Sequence, residues 1–133
     1  MSTRNLAMIL GIVFIAAGAA GFVPALVQAP PGGDMGMPGH GEVLGLFPVN
    51  TLHNIVHLLF GLWGLAASRS TSGAVMYGRG VAIIYAVLAV MGLIPATQDG
   101  FGMVPLWGKD VWLHAGLALV GAYIGWVNRS PAV

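Results

Sequence analysis

The run from Leu6 to Val27 contains no charged residue, and three more apolar runs follow it, at about Thr51–Ser68, Tyr77–Pro95 and Asp110–Val127. Each is close to the roughly 20 apolar residues that cross a bilayer as a helix. Inside hydrocarbon the backbone polar groups have no water to bind, so such runs satisfy themselves as helices. Only 7% of the 133 residues are charged, against roughly 25% in a soluble domain. A chain with so few charges cannot build a wetted surface, and the expected solvent is lipid. The fold class that follows is all-α: an integral membrane four-helix bundle, one domain over 1–133 with spans at about 6–27, 51–68, 77–95 and 110–127. The outer loops are expected at 28–50, irregular and rich in Gly and Pro, and at 96–109.

The remaining composition excludes several functions. Formal net charge is +1, and no basic face is present to neutralise phosphates, so nucleic acid is not an expected partner. Cysteine is absent, which removes disulfides, thiolate nucleophiles and thiolate metal sites. Any metal would be held by His, carboxylate or Met. No Ser/His/Asp triad, phosphate-cradling glycine loop or acid/base carboxylate pair stands out, and an enzyme is not the expected reading. Gly78-Arg79-Gly80 is too short for a nucleotide fingerprint.

Val27-Gln28-Ala29 resembles a signal-peptidase site. The apolar run before it exceeds the roughly 7–15 residues of a signal h-region, so it is read as a span. Arg4, Arg69, Arg79 and Arg129 fall on one side of a four-span arrangement, with Lys109 alone on the other. The excess of positive charge predicts both termini in the cytoplasm. All four acids, Asp34, Glu42, Asp99 and Asp110, then lie outside, together with His40, His53, His57 and His114. Trp107 and Trp112 are expected as outer interface anchors, and Tyr77 and Trp126 as inner ones.

The two halves of the chain resemble each other. Gly21-Phe22-Val23-Pro24 ends the first span and Gly92-Leu93-Ile94-Pro95 ends the third. In the loops, Gly45-Leu46-Phe47-Pro48 precedes His57 by the same interval at which Gly102-Met103-Val104-Pro105 precedes His114. In this register His53 aligns with Asp110. Two tandem two-helix repeats in one orientation predict a pseudo-two-fold axis along the membrane normal. Gly18, Gly21, Gly61, Gly64, Gly121 and Gly125 offer close-packing faces, either within the bundle or toward other membrane subunits.

The candidate site follows from the repeat. His53 and His57 share a helix face four residues apart, as do Asp110 and His114. If the second and fourth spans meet at the axis, three imidazoles and a carboxylate gather at the outer end. That set suits zinc, copper or iron, and bundle sites are built from facing helices in this way. His57 and His114 also suit the axial positions of a haem. Ionisable groups within a span equally mark proton or quinone chemistry, and the same groups can simply hydrogen-bond and lock the halves together. In the first outer loop Met35, Met37 and His40 offer soft ligands for copper(I).

The patterns Pro48-Val49-Asn50 with His53-Asn54-Ile55-Val56-His57-Leu58, and Asp110-Val111-Trp112-Leu113-His114, resemble those of a bacterial family of small four-span membrane proteins known only as a domain of unknown function. The resemblance covers about Leu6 to Val127. It implies four helices in the bacterial inner membrane, and it implies no activity, ligand or catalytic residue. Two functions remain open. One is a small non-catalytic accessory or structural subunit packed against a larger membrane complex. The other is a metal- or haem-binding redox module using His53, His57, Asp110 and His114.

Overall fold

The computed structural model describes residues 1–28 and 41–128. Within them the chain forms four helices: α1 (Thr3–Ala20), α2 (Thr51–Ala67), α3 (Thr71–Leu93) and α4 (Asp110–Ala122). A π-helical turn, Tyr123–Val127, prolongs α4, with the Asn128 N–H donating to the Tyr123 carbonyl at 2.7 Å. Three spans, Thr3–Ala20, Thr71–Leu93 and Asp110–Val127, are long and apolar enough to cross a membrane. The 17 residues of α2 are apolar but shorter, at the lower end of the range of about 17–25 that spanning helices use. Ile12, Leu59, Leu62, Ile83, Val87 and Leu119 are exposed around the outside. So much outward apolar surface on helices of this length marks a membrane protein.

Helix starts follow their caps. The Ser2 hydroxyl accepts from the Asn5 N–H, the Asn50 side chain from the His53 N–H, and the Ser70 hydroxyl from the Gly73 N–H. Each satisfies an amide that the helix leaves open. The Ser70 cap explains why α3 opens at Thr71 rather than at the expected Tyr77, with Thr71, Ser72 and Gly73 in its first turn. At the other end α1 stops at Ala20, short of the expected Val27. Pro24, which lacks an N–H, opens a separate 3-10 turn, Pro24–Leu26.

The loop between α1 and α2 also differs from the irregular coil expected. Three short strands, β1 (Val27–Gln28), β2 (Gly41–Val43) and β3 (Phe47–Val49), form an antiparallel sheet in the order β1-β2-β3. Glu42 pairs with Pro48 and Val43 with Phe47, across a turn in which Leu44 and Gly45 both adopt left-handed φ, 54° and 67°. The stretch lacked alternation because the strands are too short to show it. Met35, Met37, His40 and Arg129 lie outside the described residues.

Arginine ties one end of the bundle together. Arg4 Nε donates to the Ser68 carbonyl at 2.8 Å, and Arg79 Nε to the Gly125 carbonyl at 3.0 Å. The start of α1, the end of α2, the start of α3 and the end of α4 therefore share this end. His53, His57 and His114 lie at the other.

Glycines set how closely the helices approach. A Cβ on Gly11 would stand 2.8 Å from the Gly61 carbonyl oxygen and 3.0 Å from the Leu65 nitrogen. One on Gly121 would stand 2.7 Å from both the Ala82 nitrogen and the Gly78 carbonyl oxygen. Backbone thus meets backbone between α1 and α2 and again between α3 and α4, as small residues permit in membranes. The contacts correspond: Gly21 lies against Asn54 and Gly92 against Val111, the positions that the two Gly-x-x-Pro repeats align. Gly61, Gly64 and Gly121 are buried in these interfaces. The core between the pairs holds Leu10, Phe14, Tyr77, Val81, Tyr85 and Ile124. Tyr77 is a correction to the expected inner anchor. It is fully buried and donates its hydroxyl to the Phe60 carbonyl at 3.0 Å. Trp112 and Trp126 remain exposed, as anchors would.

Candidate metal centre at the histidine end of the bundle

Asn50 fixes the first turn of α2 from two directions. Its side-chain oxygen accepts from the His53 N–H at 2.8 Å, while Nδ2 donates to the Met103 carbonyl at 2.7 Å. The cap thereby joins α2 to the loop between α3 and α4. His53 and His57 follow on one face, and that face is turned inward. On α4, Asp110 and His114 lie one turn apart on the buried face. Asp110 also sits in the first turn, where the positive end of the helix dipole favours an anion.

The three histidines come together, and Asp110 stands beside His53 and His114. Relative exposure is 4% for His53, 5% for His57, 1% for Asp110 and 0% for His114. Each of the three histidines offers a ring nitrogen, and these nitrogens lie within 4.8 Å of one another. Ring centroids are 4.4 Å apart for His53 and His57, 5.7 Å for His53 and His114, and 6.4 Å for His57 and His114. Asp110 Oδ2 stands 3.4 Å from His114 Nε2 and 3.9 Å from His53 Nε2.

Hydrogen bonding within the chain leaves much of this cluster unsatisfied. His53 Nδ1, His57 Nε2, both ring nitrogens of His114 and both carboxylate oxygens of Asp110 are buried without a hydrogen-bond partner. A buried polar group left unpaired costs about 1–3 kcal/mol, more when charged. A single cation accepting several of these lone pairs would relieve them together. The ligand geometry fits such an ion. Two donor atoms each about 2.0–2.1 Å from a tetrahedral metal stand roughly 3.3–3.4 Å apart. The Asp110–His114 pair is already at that separation. The three imidazoles need to draw in by an ångström or so.

The rings form one compact group and not the two faces of a haem slot. A macrocycle set between His57 and His114 would run into the His53 ring, which lies close to both.

Three residues around the cluster were not singled out from sequence. Phe14 and Tyr85 pack on it from α1 and α3, with Phe14 5.7 Å from His57 and Tyr85 5.2 Å from His114. Asn54 is fully buried against Gly21, and its amide has no hydrogen-bond partner. Asn54 carried a signal, being a polar residue within an apolar run. Phe14 and Tyr85 carried none beyond their aromatic character.

The chain belongs to the family described as a domain of unknown function, DUF4383, whose model matches residues 4–127. Neither a curated protein nor a solved structure matches it.

Proposed function

We propose that this protein is a membrane-embedded binding module for a divalent transition metal, held by His53, His57 and His114 with Asp110 completing the set. The observation that carries this reading is the convergence of three buried imidazoles whose ligand nitrogens lie within 4.8 Å of one another. Neutral imidazoles suit zinc, copper, iron or nickel, and a carboxylate suits the harder members of that group. Asp110 would offset half of a divalent ion's charge, which matters where a bare buried charge is costly. Four protein ligands close a tetrahedral site, and closed sites serve to hold a metal or a fold rather than to activate water. The module is therefore read as non-catalytic.

The ligands come from both helical pairs, α2 from the first and α4 from the second. Under the Gly-x-x-Pro repeats, His57 pairs with His114 and His53 with Asp110. This supports a tandem duplication, with the metal on the axis between the halves. Arg4, Arg69 and Arg79 belong to the opposite end of the bundle, and the positive-inside rule argues for that end in the cytoplasm of a bacterial inner membrane. The metal would then face the outer side.

Elemental analysis of protein purified in detergent tests the reading. One transition-metal ion per chain is expected, lost when His57 and His114 are both changed to Ala in a variant that still folds. Protein that carries no metal and takes none up would overturn it. Co-purification of such metal-free protein with a larger membrane complex would favour an accessory subunit instead.

A further inference from the structure

The end of the bundle opposite the histidines carries positive charge with nothing, among the described residues, to balance it. Arg4 at the start of α1, Arg69 between α2 and α3, and Arg79 in the early turns of α3 all lie there. The acids of the described residues lie elsewhere: Glu42 in β2, Asp99 in the loop between α3 and α4, and Asp110 in the first turn of α4. The ion pairs among the described residues are those of Asp110 with His53 and His114. None of the three arginines has an acidic partner there.

Two of the guanidinium groups are held in place. Arg4 Nε donates to the Ser68 carbonyl at 2.8 Å and Arg79 Nε to the Gly125 carbonyl at 3.0 Å. Their other nitrogens form no hydrogen bond among the described residues, so each Nη edge is open. That edge is a planar pair of donors of the kind that grips phosphate oxygens. Fixing a long side chain in advance also lowers the entropy cost of binding. Arg69 is exposed and directly follows Ser68, so the Arg4 bond sets two cationic residues side by side. Like charges so placed repel, and an anion relieves the repulsion. The Asn128 side chain donates to the Met1 carbonyl at 3.2 Å, which ties the start of α1 to the π turn that Arg79 holds.

Trp126 sets the depth of this surface. It is exposed, and the Arg79 guanidinium carbon lies 5.5 Å from its ring centre. An exposed indole at the end of a spanning helix sits at headgroup level, where the bilayer's phosphates are. A zwitterionic lipid brings its own cation with its phosphate. An anionic lipid does not, and supplies the charge this end lacks.

We propose that Arg4, Arg69 and Arg79 make this end a binding surface for anionic phospholipid, whose headgroup phosphate the open guanidinium edges grip. The inference shares no residue with the metal reading and does not depend on it.

The test is native mass spectrometry of the full chain in detergent with equal amounts of phosphatidylglycerol and phosphatidylcholine of the same acyl chains. Phosphatidylglycerol adducts should exceed phosphatidylcholine adducts by roughly fivefold or more, the order expected for one arginine at an anionic lipid surface. Arg4→Gln/Arg79→Gln should bring the ratio toward one. Arg69→Gln removes an exposed side chain with no printed tie to the fold, so it should lower the ratio several-fold at an unchanged melting temperature, and it carries the test if the double variant does not fold. Lys109→Gln removes the same charge from the histidine end and should leave the ratio as it is. Equal adducts of the two lipids on wild type would overturn the proposal. So would a loss of preference in Lys109→Gln as large as in Arg69→Gln, which would show net charge at work and not this surface. Displacement of the lipid by an equal concentration of soluble glycerol phosphate would also overturn it, by assigning the surface to a free phosphate.

Discussion

His57 and His114 face each other across the boundary between two helical hairpins, ring centroids 6.4 Å apart and ring planes at 89°. Each projects from a helix whose hairpin partner is held by close backbone contact at glycine. The pair therefore reports how the two halves of the chain meet. A metal gripping both rings would fasten the halves as well as itself.

The first expected outcome concerns metal removal. A ligand that binds only the folded state stabilises it by mass action. Stripping the protein with a chelator should lower its melting temperature in detergent, and adding back zinc or cobalt should restore it. The His57→Ala/His114→Ala variant should melt at one temperature with or without metal. A wild-type melt indifferent to both treatments would contradict the site.

Asp110→Asn keeps shape but removes the negative charge. With Asp110 Oδ2 3.4 Å from His114 Nε2, the variant should lose affinity for metal by roughly 10–100-fold, the scale seen when a carboxylate around a metal is replaced. Competition against a chromophoric chelator measures it. An unchanged affinity would remove Asp110 from the site and leave a three-histidine centre.

Gly11→Ala sets a new Cβ 2.8 Å from the Gly61 carbonyl oxygen. That neighbour is backbone and cannot rotate away, so α1 and α2 must separate. The expected loss is about 1–3 kcal/mol of stability. Gly116→Ala is the control, because nothing lies within 4 Å of its added Cβ. It should hold or gain stability, by up to about 1 kcal/mol from helix propensity. Thermal melts of the two variants side by side decide the matter.

Asn50→Ala removes the cap of α2 and its tie to the Met103 carbonyl. Loss of the cap alone costs about 1 kcal/mol. Because the first turn it holds carries His53, metal affinity should fall with stability. Asn50→Asp keeps the capping oxygen but not the donor to Met103, so it should recover most of the stability.

The membrane class and the gathering of His53, His57, Asp110 and His114 were legible because they depend on short-range rules. Charge-free runs set the spans, and the four-residue spacing set a common helix face. The matching Gly-x-x-Pro patterns in the two halves aligned one face with the other. Tyr77 went astray because its position near a span end suits an interface anchor. Its burial depends on Phe60, seventeen residues away on the neighbouring helix. The strands around Gly41–Val49 were equally hidden, since runs of two or three residues carry no period. Phe14 and Tyr85 entered the site through helix packing, which no local pattern encodes.

X-ray absorption at the metal edge of zinc-loaded protein in lipid tests the central assignment most directly. The account predicts four nitrogen or oxygen neighbours at about 2.0–2.1 Å, with outer-shell scattering from three imidazoles. A spectrum of oxygen neighbours alone, without imidazole scattering, would contradict it.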